Sequence, residues 1–110
     1  MSTIYIAGPM KDIEKYNFTA FFDAEDRLRR CGWDEIFNPA RIDYDDGFDP
    51  NIEHPEYEWK EVKCTVFKRD VECILNSDAI YMLKGWENSK GARAEHAVAV
   101  FLGIEIYYES

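Results

Sequence analysis

Two residues into the chain stands Thr3-Ile4-Tyr5-Ile6-Ala7, and Gly8-Pro9 stops it. The run is β-branched and aromatic and does not alternate apolar with polar residues. A half-solvated strand shows a period of two, so this one reads as a buried strand feeding a turn. A buried strand needs cover, and the next segment supplies it. Phe18, Phe21, Phe22, Leu28 and Cys31 recur at helical spacing. They predict an amphipathic helix over residues 15–31, with Gly32 as its C-terminal cap.

The alternation continues. Residues 33–37 read as a second strand, ended by Asn38-Pro39. Residues 39–57 carry Asp43, Asp45, Asp46, Gly47, Asp49, Pro50 and Pro55 with no period, and read as a long acidic loop. Loops of that length inside a small domain are functional or mobile. Asp43-x-Asp45 and Gly47 look like the start of a calcium-binding loop. The glycine comes too early, however, and no glutamate closes a twelve-residue loop, so no metal site is expected there. Helical spacing returns over residues 56–76 through Trp59, Val62, Val66, Phe67, Val71, Ile74 and Leu75. A third strand over 78–83, a polar turn over 85–91, an alanine-rich helix over 92–102 ended by Gly103, and a strand over 104–108 complete the chain.

The order β-α-β-loop-α-β-α-β predicts one α/β domain over residues 1–110. Its architecture is a Rossmann-like (flavodoxin-like) parallel sheet of about four strands, with helices on both faces. Ligands in such sheets sit beyond the carboxyl ends of the strands. Here those ends are residues 7–10, Asn38-Pro39 and residues 84–91.

Charge and cysteine usage narrow the function. Thirteen Lys and Arg face 22 Asp and Glu, a formal net charge of -9. A phosphate backbone or an anionic membrane would be repelled, so neither a nucleic-acid polymer nor a membrane is the expected partner. A small anion remains compatible, because a ring of backbone N–H groups holds a phosphate whatever the net charge. Cys31, Cys64 and Cys73 are odd in number and form no C-x-x-C pair. Reduced thiols and a cytoplasmic setting are expected. The N-terminus has no basic stretch followed by an apolar region, so no secretion signal is read. His54 and His96 stand apart from any metal-ligand spacing, and neither metal nor cofactor is expected.

Several residues could carry chemistry, and each has a plain reading beside the functional one. Asn88-Ser89-Lys90-Gly91-Ala92 opens a helix: Ser89 is either an ordinary cap or part of an anion site, and Gly91 allows a ligand close to the backbone. Glu95 lies among Ala92, Ala94, Ala97, Val98 and Ala99. There it is either an exposed acid on the outer face or a costly buried carboxylate with a function. Asp70 falls on or beside the apolar stripe of its helix, either paired with Arg69 or Lys63 or aimed into a site. Tyr5 is a core aromatic or a phenol near the strand end. Trp86 covers the sheet edge or stacks on a ligand base. Two carboxylates converging on one cleft are what glycosyl transfer needs.

Taken together, these pieces form a recognisable set. The opening Ile4-Tyr5-Ile6-Ala7-Gly8-Pro9-Met10 is followed by Arg69-Asp70, Ser77-Asp78-Ala79 and Gly85-Trp86. Then comes Ser89-x-Gly91-Ala92-x-x-Glu95, with Ala99 and Gly103 behind it. The set resembles the nucleoside 2-deoxyribosyltransferase-like superfamily, and most closely its short, often phage-encoded branch. The resemblance spans nearly the whole chain except residues 39–57. It implies cleavage of N-glycosidic bonds, with Glu95 as nucleophile, Asp70 assisting the leaving base or contacting the sugar, and Tyr5 orienting Glu95. Gly8, Pro9 and Met10 would line the site. In the family, base-exchanging transferases carry an acid six residues before the glutamate, whereas nucleoside 5′-monophosphate N-glycosidases carry a serine that helps hold the phosphate. Ser89 occupies that position, so the resemblance leans toward a nucleotide hydrolase. Base exchange between deoxynucleosides is the enzymatic alternative, and a non-catalytic nucleotide-binding protein is the alternative of another class. The small chain and the resemblance together imply a homodimer or larger homo-oligomer, in a host cytoplasm if the chain is phage-encoded.

Overall fold

The computed structural model describes residues 2–110. Four strands form one all-parallel sheet in the order β2-β1-β3-β4, with β1 at Thr3–Ala7, β2 at Glu35–Phe37, β3 at Ala79–Met82 and β4 at Glu105–Tyr108. Ile4 stands opposite both Ile36 and Ala79, and Ala79 opposite Glu105. The helices α1 (Phe18–Arg30), α2 (Pro39–Asp45), α3 (Lys60–Leu75) and α4 (Lys90–Leu102) cover both faces. The architecture is therefore the Rossmann-like α/β sheet that the alternating pattern predicts.

β1 is central and fully buried along its length. Its side chains still alternate between two cores, because successive Cβ atoms point to opposite faces. Ile4 and Ile6 pack with Phe18, Phe21, Ala24 and Leu28 of α1 and Ala40 of α2. Tyr5 and Ala7 face the other way, into a core with Ile74 of α3, Ile80 and Met82 of β3, and Ala92 and Ala99 of α4. This parity sends the Tyr5 phenol toward the α3/α4 layer. At the end of β1, Gly8 is required by packing: a Cβ there would stand 2.7 Å from Leu83 Cβ.

The element bounds depart from the sequence reading in places, each with a local cause. The first helix starts at Phe18 rather than near residue 15. Lys15, Tyr16 and Asn17 have φ of 52°, 54° and 62°, a left-handed path that no α-helix continues. The third helix starts at Lys60 rather than Glu56, because Trp59 is extended (ψ 138°) and separates it from a short turn at Pro55–Glu58. The largest correction concerns residues 39–57, which are not a structureless loop. Asn38 Oδ1 accepts a hydrogen bond from Ala40 N at 3.0 Å, and Pro39 takes the first helical position of α2. The Asn-Pro pair that ends a strand also starts a helix. Beyond α2, Phe48, His54 and Tyr57 cluster with Tyr16, and the ring centroids of Phe48 and His54 lie 3.9 Å apart.

Candidate active site

The buried stripe of α4 is Ala92, Glu95 and Ala99, and that of α3 is Asp70 and Ile74. Both sets fall on one helical face, since residues three, four and seven apart align. The alanines bring α4 close to the sheet and carry Glu95 in with them. Glu95 and Asp70 are each 7% exposed, so both are interior carboxyl groups. The exposed-acid reading of Glu95 is overturned. Tyr5 reaches them from the strand and donates its phenol proton to Glu95 Oε2 at 2.8 Å.

Burial pushes the Glu95 carboxyl up to about 8; the charge of Asp70 adds to the rise and the Tyr5 hydrogen bond opposes it. Burial likewise lifts Asp70 to about 6, against the pull of Arg69. Two acids that interact this strongly titrate as a pair. Near neutral pH the pair holds one proton. Tyr5 is itself held well above its usual value, by burial first and then by the Glu95 and Asp70 charges, so it stays a donor.

Asp70 is both interior and paired. Arg69 Nε donates to Asp70 Oδ1 at 3.0 Å, and Arg69 Nη1 donates to Asp43 Oδ1 at 2.7 Å. Among the described residues, Nη2 lies 2.9 Å from Asp70 Oδ1 yet has no acceptor in hydrogen-bonding geometry.

Tyr5, Gly8, Met10, Asp70, Gly91 and Glu95 line one cavity of about 510 Å³ beyond the carboxyl end of β1. That is the side of the sheet on which the strand order reverses around β1. Three other expected site residues are placed elsewhere. Pro9 is buried outside the cavity wall and its carbonyl accepts from Asn17 Nδ2. Ser89 caps α4, accepting from Ala92 N at 3.2 Å, and stands one residue outside the wall that Lys90 and Gly91 form. Trp86 is stacked on His96, with ring centroids 4.3 Å apart, so one of its faces is taken by protein, and it does not line the cavity.

The cavity also recruits residues that sequence reasoning missed. Asp43 comes from α2, Tyr57 from the short turn, and Lys63 and Lys90 bring cations to the wall. Asp43 and Tyr57 lay in or at the edge of the segment read as loop, and no local pattern marks either. Lys90 could have been found, since it stands between two residues already singled out. Among the described residues no group of three or more His, Cys, Asp or Glu is placed to hold a metal ion. Nor is any helix long and apolar enough to cross a membrane.

The sequence pattern of a family described as "Domain of unknown function (DUF4406)" matches residues 2–108. The chain belongs to that family. In this DUF4406 member the matched span contains both interior acids, Tyr5 and the cavity wall. No curated protein and no solved structure matches the chain.

Proposed function

We propose that this DUF4406 protein is a glycosidase-type enzyme that hydrolyses the N-glycosidic bond of a nucleoside 5′-monophosphate. The convergence of Tyr5, Asp70 and Glu95 on one cavity carries the reading. A solvated acid needs no cavity, and a purely structural buried acid is paired or absent. Here two interior carboxyl groups share a proton and a phenol beside space for a small molecule.

The chemistry runs through the singly protonated pair, in the form reached when its proton passes from Glu95, where it rests, to Asp70. Glu95, as carboxylate, forms a bond from its oxygen to the anomeric carbon. The bond from that carbon to the base nitrogen breaks, and its electron pair leaves with the base. Asp70 delivers the proton that the departing base requires. Water then attacks the same carbon, Asp70 takes back a proton, and Glu95 leaves as carboxylate with sugar phosphate as product. Tyr5 holds Glu95 Oε2 and favours its charged form as that oxygen becomes nucleophile or leaving group.

The phosphate end of the ligand is suited to the first turn of α4. No acid occupies that turn, and Lys90 and Gly91 stand in the wall. A Cβ at Gly91 would meet nothing within 4 Å, so no protein packing demands glycine there. Lys63 adds a second cation from α3. These groups offset locally the net charge of -9. A homo-oligomer belongs to the same proposal, supported by the apolar Val100 and Phe101 on α4, the latter 89% exposed.

The test is incubation of the pure protein with ribo- and deoxynucleoside 5′-monophosphates and the matching nucleosides, with released base read by chromatography and mass. Release from monophosphates, lost in Glu95→Gln, supports the hydrolase. Release only from nucleosides, or only when a second base is added, moves the reading to base exchange. No release, with intact nucleotide retained, leaves a nucleotide-binding protein.

A further inference from the structure

Arg69 stands between two buried acids. Its Nη1 donates to Asp43 Oδ1 at 2.7 Å and its Nε to Asp70 Oδ1 at 3.0 Å. Asp43 is 6% exposed and Asp70 7%, and Arg69 lies in the same cavity wall. Each guanidinium edge is directional, so holding one edge fixes the other. Asp43 is itself fixed. It lies on α2, whose start is capped by Asn38, and its carbonyl accepts from Phe48 N at 2.9 Å.

We propose that Asp43 is a positioning residue that, by tethering Arg69, holds the guanidinium against Asp70 and so governs how the Asp70–Glu95 pair shares its proton. The proposal rests on the reading of that pair as the reacting acids. Asp43 acts through Arg69, and its effect differs from that of a mere nearby charge. A charge alone would repel a carboxylate on Asp70. The tether does the opposite, because it keeps a cation in contact with Asp70.

The groups that act on Asp70 come from every packed element. Tyr5 acts from β1, Asp43 from α2, Arg69 and Cys73 from its own helix, and Glu95 from α4. The attraction of Arg69, in contact with Asp70, outweighs the repulsion of Asp43 one guanidinium away. The two variants at position 43 therefore separate. Asp43→Ala frees Arg69, removes the larger influence, and raises the lower titration of the pair. Asp43→Asn keeps an oxygen for Arg69 and removes only charge, so that titration holds or falls.

The experiment is a carbon-13 NMR titration of side-chain carboxyl groups in the full chain, needing no substrate. Glu95→Gln identifies the pair's signals. The expected result is a rise of about one pH unit in the lower titration for Asp43→Ala, and none for Asp43→Asn. Arg69→Lys, whose single ammonium cannot span both acids, gives the same rise and serves where the alanine variant fails to fold. Unchanged titrations in Asp43→Ala and Arg69→Lys, or an acid-ward move in Asp43→Ala, overturn the tether. Failure of base release with the expected titrations overturns the hydrolase reading and leaves the tether standing.

Discussion

Glu95→Gln tests whether an ionisable acid is buried where the structure puts it, before any substrate is known. In the folded chain Glu95 ionises at about 8, against an ordinary value of 4.5. Each pH unit of that difference corresponds to about 1.4 kcal/mol, so charging Glu95 inside the fold costs about 5 kcal/mol. Between pH 4.5 and 8 the native state keeps a proton that the unfolded chain has lost. Stability therefore falls as pH rises through that window, and it levels off above it. Glutamine is nearly isosteric, never charges, and still offers Tyr5 an acceptor. The variant should match the wild type near pH 4.5, exceed it by about 3 kcal/mol at pH 7, and by about 5 kcal/mol at pH 9. For a domain whose whole stability is about 5 to 15 kcal/mol, that gain is large. Urea unfolding at pH 5, 7 and 9, followed by tryptophan fluorescence, measures it. A difference that does not change with pH, or a variant less stable at pH 9, would refute the interior placement of the charge. In Asp70→Asn, where the neighbouring charge is gone, the gain from adding Glu95→Gln should shrink.

Three further outcomes follow from the same geometry. If the singly protonated pair does the work, kcat/KM for base release rises with pH through about 6 and falls through about 8. A single sigmoid would contradict shared protonation. Tyr5→Phe removes the donor to Glu95 Oε2, so the basic limb of that profile moves to higher pH and the rate at pH 7 drops by about tenfold or more; an unchanged limb would remove Tyr5 from the site. Asn38→Ala loses the cap on Ala40 N and the bonds to Phe21 O and Glu25 Oε1, costing about 2 to 4 kcal/mol in a denaturant melt. A loss under about 0.5 kcal/mol would mean that the cap is replaceable.

How far the sequence foretold the site depends on the range of the signal. Tyr5 and Glu95 were legible because each breaks a local rule, a phenol inside an all-apolar strand and an acid inside an alanine run. Asp70 was legible from its place on a helical stripe. Its two readings, paired or functional, proved compatible, because Arg69 binds one side of a carboxyl that also faces the cavity. The Asp43–Arg69 contact was not legible, since it joins residues 26 positions apart through a helix whose polar composition hides its period. Trp86 misled for a related reason. An aromatic in a turn looks free until its neighbour is known, and His96 lies ten residues on. Ser89 was rightly seen as a cap, while the cavity wall passed to the two residues after it.

The position of β1 also has a consequence for synthesis. Of the four strands of the sheet it is made first, yet it lies inside, between β2 and β3. Ile4 meets Ile36 early but must await Ala79 on its other edge. At about 5 to 20 residues per second, the stretch from Ile36 to Ala79 takes roughly 2 to 9 seconds. For that time the nascent chain carries an apolar strand with one open hydrogen-bonding edge, the kind of surface that chaperones hold and other strands capture. Slowing translation between residues 40 and 79 should therefore lower the soluble yield of this protein more than slowing it after residue 82.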